Sequence, residues 1–301
     1  MLMFEDISSE KRMKSTMSRY MDPGIADQLL ETGAESLGGQ ASPVTVLFSD
    51  IRSFTTITEQ LGPQGTVAFL NEYFERMVDV IQREGGMLDK FIGDAIMAGF
   101  GVPVAHDDDP DRGVRAAIGM IRALRGWNAE RAEHGMPPVE IGIGVNTDTV
   151  VTGNIGSNKR MDYTMIGDGV NLSARLESAC KQYGAQILAS EFTVSALRGT
   201  YRMRELDLVV VKGKTKPVSI YEILEHHTNL TYPNLPEALA YFRDGLAGYR
   251  QGDFDQARAL FGKVLAINPR DAAAWLYIDR CEQLAKAPPA DWRGVWVMES
   301  K

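Results

Sequence analysis

The chain has 301 residues, 44% hydrophobic and 24% charged, values that suit about two packed domains and exclude a wholly disordered polymer. Its 32 Lys and Arg against 40 Asp and Glu leave a net charge of −8, which argues against a nucleic-acid partner over the whole surface. Any polyanionic substrate must therefore meet local cations or a metal ion. Cys180 and Cys281 stand far apart and the four His are scattered, so neither a disulfide framework nor a Cys/His zinc site is expected. No apolar run approaches the ~18 residues of a membrane helix, and Glu5, Asp6, Glu10, Lys11 and Arg12 interrupt the first turns of any leader. The composition reads as cytoplasmic, without membrane contact.

Residues 1–37 read as a helical linker or dimer handle, with Met13, Met17, Tyr20 and Met21 at helical spacing and Asp22-Pro23 opening a second helix. A mixed strand and helix pattern follows over 38–225. Strand 43–49 alternates Val44, Val46 and Phe48 with their neighbours, after a Gly/Ser/Ala loop at 32–42. A helix is expected over 64–84, then strands 87–91 and 95–100 around an Ile92-Gly93-Asp94 hairpin turn. Helix 110–133, strand 139–145, a loop, helix 169–183 and strands near 186–190, 202–211 and 217–224 complete an α+β unit. Residues 226–235 read as a linker containing His226 and His227. Helices are expected at 236–250, 254–267 and 271–285, a small all-α segment whose Tyr241, Gly245, Tyr249, Gly252, Ala257, Phe261 and Pro269 fit one tetratricopeptide repeat. A single repeat cannot bury its own face, so it must dock on its own chain, a second copy or a partner. The tail 286–301 carries Trp292 and Trp296, residues that favour packing over free solvation.

Three segments carry chemistry. In Phe48-Ser49-Asp50-Ile51-Arg52-Ser53-Phe54-Thr55 a carboxylate ends a buried strand, ahead of backbone N–H groups and a hydroxyl suited to phosphate. Asp94 sits at the hairpin tip, where an Asp is also an ordinary turn residue. Taken together, two such Asp on one sheet suit hard divalent ions on oxygen ligands. Between Tyr163 and Arg175, Asn171 and Arg175 share one face of a helix that Leu172 and Leu176 anchor to the core. Such a rigid polar pair suits negative charge building at phosphorus. The Ile141-Gly142-Ile143-Gly144 run indicates close backbone packing at a strand end, and His106 to Asp111 reads as a solvated loop before a helix.

These segments, with Val210-Val211-Lys212-Gly213-Lys214, resemble in order and spacing the class III nucleotidyl cyclase catalytic domain over roughly residues 40–225. Phe4-Glu5-Asp6-Ile7 resembles the exit from a PAS-type sensor, and tetratricopeptide helices follow some such cyclases. The resemblance implies a ferredoxin-like, palm-type sandwich and a homodimer with sites shared between protomers. It implies that Asp50, Asp94 and the carbonyl of Ile51 bind two Mg²⁺ or Mn²⁺ ions, and that Phe54 and Thr55 lie against the substrate. Lys90 and Thr164 would read the purine, Asn171 would orient the ribose, Arg175 would stabilise the α-phosphate, and Lys212, or its neighbour Lys214, would hold the triphosphate.

Lys90 only donates hydrogen bonds, which suits adenine N1, and Thr164 can accept from the 6-amino group. Family members commonly carry Asp at the position of Thr164; the Lys and Thr combination resembles a subgroup that often responds to bicarbonate. The implied function is an adenylate cyclase making cyclic AMP from ATP in signal transduction. The alternatives are a guanylate cyclase and an inactive cyclase-like protein that presents its helices to a partner.

Overall fold

The computed structural model describes residues 38–157, 159–209 and 217–287, together with Trp292 and Gly294. The expected N-terminal linker, Lys212, Lys214 and most of the tail lie outside the described residues. Eight strands form one sheet: β1 (Gly38–Ile51), β2 (Met87–Ile92), β3 (Ala95–Phe100), β4 (Ile141–Ser157), β5 (Arg160–Ile166), β6 (Ile187–Ser190), β7 (Met203–Val209) and β8 (Val218–Ile223). Their order is β2-β3-β1-β4-β6-β8-β7, with β5 paired to the far end of β4. Two long helices, α1 (Phe54–Arg83) and α2 (Asp109–Glu133), complete a β1-α1-β2-β3-α2-β4 unit, the expected ferredoxin-like arrangement.

Strand β1 is buried on both faces, so its alternation sorts residues between two cores. Leu47 and Ile51 face a cluster with Tyr73, Met77 and Ile81 of α1 and Ile118, Ile121 and Trp127 of α2. Val44 and Val46 point the other way, toward Met97, Val150, Met165 and Val170. That second face carries α3 (Asp168–Tyr183), whose Leu172 and Leu176 pack with Leu188 of β6 and Ile220 of β8.

Three local expectations need correction. Helix α1 begins at Phe54, and its two legs meet at Gly62, whose φ of 65° lies in the left-handed region that favours glycine. Residues 146–166, expected as a loop, form the outer half of β4 and all of β5, while β1 starts at Gly38 to pair with them. Asn146, Asp148, Gly153 and Asn154 have weak strand preference, and pairing with β1 supplies what local propensity lacks. A short helix, α4 (Glu191–Ala196), starts where Ser190 accepts from the Thr193 N–H and was not foreseen.

Helices α5 (Leu235–Gln251), α6 (Phe254–Ile267) and α7 (Ala272–Lys286) follow. Of the possible docking partners, they use their own chain. Phe242, Phe261, Tyr277 and Cys281 join one buried cluster with Leu176 and Tyr183 of α3 and Leu206 of β7. A bulge in β7 between Glu205 and Asp207 breaks its alternation, and the strand then presents three consecutive polar contacts to the helices. Glu205 pairs with Arg250 at 2.6 Å, the Leu206 carbonyl accepts from Tyr277 at 2.6 Å, and Asp207 pairs with Arg280 at 2.6 Å. Arg204, also buried, binds Glu222 of β8 and Asp271 at the start of α7. The 226–235 segment is no free linker: His226 is only 2% exposed, and Tyr232 donates to Asp271. Burial, reinforced by His227 and Arg125, pushes the His226 imidazole down to about 3, so it sits there neutral. Trp292 donates to the Tyr249 carbonyl at 2.9 Å and packs on the Tyr249 and Phe254 rings.

Candidate active site

The antiparallel register of β1 with β3 pairs Ser49 with Ile96, which carries Asp50 to the β2–β3 hairpin tip. Gly93 turns that tip at φ 66° and delivers Asp94. One backbone N–H, that of Ile51, donates to both carboxylates, to Asp50 Oδ1 at 3.0 Å and to Asp94 Oδ2 at 3.2 Å. Among the described residues no ion pair reaches either carboxylate. Burial, with the neighbouring Asp50, pushes the Asp94 carboxyl up to about 7. Two carboxylates converging without a protein cation fit a hard divalent ion on oxygen ligands, with the Ile51 carbonyl adjacent. Among the described residues no group of three or more His, Cys, Asp and Glu is placed to hold a metal ion, so the two carboxylates would leave part of a coordination shell to other oxygen ligands.

Beyond Asp50 the chain turns through Ser53, a non-glycine residue at φ 56°, into α1. The N–H groups of Thr56 and Ile57 return to the Ser53 carbonyl. Those of Phe54 and Thr55 belong to the first turn and have no partner within the helix. Thr55 is exposed, while Phe54 is half-buried against the α1–α2 core.

Asn171 and Arg175 lie one turn apart on the exposed face of α3. The helix holding them is fixed closely to the sheet. A Cβ on Gly144 would run into the Ser173 carbonyl and the Glu177 N–H, so glycine is what lets α3 approach β4. The Ser173 hydroxyl reaches the carbonyls of Val46 at 2.8 Å and Gly144 at 2.9 Å. Arg52, two residues beyond Asp50, pairs with Glu177 at 3.1 Å and ties the strand end to α3. The sequence offered Arg52 only as part of a motif; its partner 125 positions away emerges from the fold. No hydrogen bond or ion pair among the described residues joins Asn171 or Arg175 to the Asp50–Asp94 pair.

Lys90 and Thr164 come together from β2 and β5 through a residue that sequence reasoning passed over. Asp89 accepts from the Thr164 hydroxyl at 2.6 Å and the Met165 N–H at 3.2 Å, and its other oxygen lies 3.2 Å from Lys90 Nζ. Thus the expected site residues among the described ones fall into four groups: the carboxylate pair with Ile51, the first turn of α1 at Phe54 and Thr55, the Lys90–Thr164 pair and the exposed face of α3.

The family model described as "Adenylate and Guanylate cyclase catalytic domain" matches residues 39–225. The chain belongs to this family. An adenylate cyclase of Anabaena cylindrica is 38% identical over 223 residues, 71% of this chain and 43% of that protein. The terminal-differentiation-specific adenylate cyclase of Dictyostelium discoideum is 34% identical over 284 residues, 91% of this chain but 13% of its own length. The cyclase chain thus spans less than half of either relative. Among solved structures, the guanylyl cyclase Cya2 is 42% identical with a TM-score of 0.58, covering 62% of this chain and 94% of that one. The adenylyl cyclase CyaB of P. aeruginosa is 36% identical with a TM-score of 0.58, covering 62% of this chain and 96% of that one. Among the described residues of this cyclase chain, no helix is long and apolar enough to cross a membrane.

Proposed function

We propose that this chain is an adenylate cyclase that converts ATP to 3′,5′-cyclic AMP and pyrophosphate. The observation that carries the reading is the Asp50–Asp94 pair, two carboxylates meeting over one N–H with no cation paired to them among the described residues. They would hold two Mg²⁺ or Mn²⁺ ions with the Ile51 carbonyl. Bound there, such ions supply neutralisation of the triphosphate and acidify the ribose hydroxyl. In the reaction the 3′-oxygen bonds to the α-phosphorus, the bond from that phosphorus to the bridging oxygen of the β-phosphate breaks, and the hydroxyl proton leaves to solvent. This is an in-line displacement governed by positioning and charge. Asn171 would orient the ribose and Arg175 would meet the charge on the α-phosphate. The first turn of α1 at Phe54 and Thr55, with Lys212, would hold the remaining phosphates. Lys90 and Thr164 would read the base. Incubation with ATP and GTP in parallel, with Mn²⁺ or Mg²⁺, tests this directly: cyclic AMP from ATP is expected, and predominant cyclic GMP would reverse the base assignment.

The site is proposed to form between two copies of the chain. Asn171 and Arg175 are exposed, with no side-chain partner among the described residues, and Phe91, Ile92, Val151, Met161 and Ile166 expose apolar surface on the hairpin and the β4–β5 arm. Asp50→Ala and Arg175→Ala homodimers are each expected to be inactive. After free subunit exchange, half the dimers are mixed and each has one intact site, so about a quarter of wild-type activity returns. No recovery, despite heterodimers demonstrated with tagged subunits, would place each site within one chain.

A further inference from the structure

Asp89 is a buried carboxylate that the reaction as drawn does not use, and its placement is unusual. Adjacent strand residues point to opposite faces, so Asp89 and Lys90 should diverge. They do not, because β2 bulges there: Leu88 pairs with Ala98 and Lys90 with Met97, leaving Asp89 as the extra residue. The bulge lets the Asp89 carboxylate, with no exposed surface, lie beside the 40% exposed Lys90 side chain. Burying a carboxylate is costly unless it is bonded and paired: one oxygen accepts from the Thr164 hydroxyl and the Met165 N–H, and the other forms an ion pair with the Lys90 ammonium.

These bonds fix what the pocket presents to a base. Thr164 has a single hydroxyl proton and gives it to Asp89, so only its lone pairs remain for a ligand. The Lys90 ammonium, tethered at 3.2 Å, keeps further protons to donate. An acceptor at the 6-position and a donor at N1 complement adenine, which offers a 6-amino donor and an N1 acceptor. Hypoxanthine and guanine present the reverse pattern, a 6-oxygen and an N1–H. We propose that Asp89 is the positioning residue that sets purine selectivity, by imposing acceptor character on Thr164 and aiming Lys90. The inference rests on Lys90 and Thr164 being the base readers.

The test measures kcat/KM for ATP and for ITP, which carries the 6-oxygen and N1–H without guanine's 2-amino group. In Asp89→Asn the Met165 N–H retains the amide oxygen, so the NH₂ faces Lys90 and releases it. The ATP-over-ITP ratio is expected to fall about 10- to 100-fold, the range for losing a charge-assisted bond. Asp89→Ala also frees the Thr164 proton to donate to a 6-oxygen, so the ratio should fall further. Thr164→Val and Lys90→Ala report on the base readers independently, and the Asp89→Asn Thr164→Val double variant should show non-additive ratios. If Thr164→Val and Lys90→Ala change the ratio while folded Asp89→Asn does not, the role of Asp89 is overturned. If none of these variants changes it, the base-reader assignment itself fails. A purely structural Asp89 would lower both substrates equally and leave the ratio intact, which also overturns the proposal. Should Asp89→Asn fail to fold, Thr164→Ser decides: it keeps the hydroxyl and its bond to Asp89, so it must retain the wild-type ratio, and loss of that ratio overturns the proposal.

Discussion

Asp94 illustrates how burial beside a second carboxylate couples stability to pH. Its folded carboxyl is pushed up to about 7 from an ordinary value of 3.8, because burial and the neighbouring Asp50 both disfavour its charge. A group raised on folding contributes stability that is fully present below its unfolded value and lost as pH rises through its folded one. The metal-free protein should therefore lose thermal stability between about pH 4 and pH 7 from this residue. Asp94→Asn should unfold at a higher temperature than the wild type at pH 8 without divalent ions, and the gap should close at pH 4. With Mn²⁺ the order should reverse, since only the wild type gains stability from the ion. Cyclase activity of the variant should be nearly absent. Thermal melts across pH, with and without Mn²⁺, check the sign; a variant that never exceeds the wild type would refute the repulsion between the two carboxylates.

At the scale of elements, the placement of α3 depends on the absence of a side chain. Gly144→Ala would drive a methyl group into the Ser173 carbonyl and the Glu177 N–H, both backbone atoms that cannot rotate away. Destabilisation of about 1–3 kcal/mol is expected, with a lower kcat as Asn171 and Arg175 shift with their helix. Gly126, on α2, provides the opposite sign. A Cβ there meets nothing within 4 Å, so Gly126→Ala should stabilise by about 0.5–1 kcal/mol through helix propensity alone. Urea unfolding of both variants separates the two effects. The local pattern identified α3, α5, α6 and α7 because their apolar spacing and caps agree with their packing. It missed the β4–β5 arm, where Asn, Asp and Gly interrupt the alternation, and the β2 bulge, because pairing across the sheet decides both.

The whole molecule is held together by buried charge as well as apolar contact. Asp207 and Arg280 are each 2% exposed, and the Tyr183 hydroxyl at the end of α3 joins them at 2.7 Å. This network links the helix bearing Asn171 and Arg175 to α7. Removing only the cation leaves a buried carboxylate, so Arg280→Met should cost about 3–5 kcal/mol. Asp207→Leu combined with Arg280→Met should recover most of that loss, since a buried ion pair and an apolar replacement are often nearly equivalent. Equilibrium unfolding of the single and double variants measures the coupling. Additive losses would show that the pair does not act as a unit.

Local sequence pattern marked the candidate chemical groups and most of the elements. Asp50 at a strand end, Asp94 in a hairpin turn and the Asn171–Arg175 spacing on a helix follow from local pattern, whatever the surrounding fold. Tertiary structure decided which of these groups meet. The convergence of Asp50 and Asp94 on one N–H needs the β1–β3 register, and the Arg52–Glu177 pair needs α3 laid across β4. The union of Asp89, Lys90 and Thr164 needs a bulge that reverses strand alternation, together with a strand expected as a loop. Docking of the C-terminal helices needs a second bulge, in β7. A bulge is set by the pairing of two strands and a close approach by the packing of two elements, and periodicity within either element carries no record of its partner.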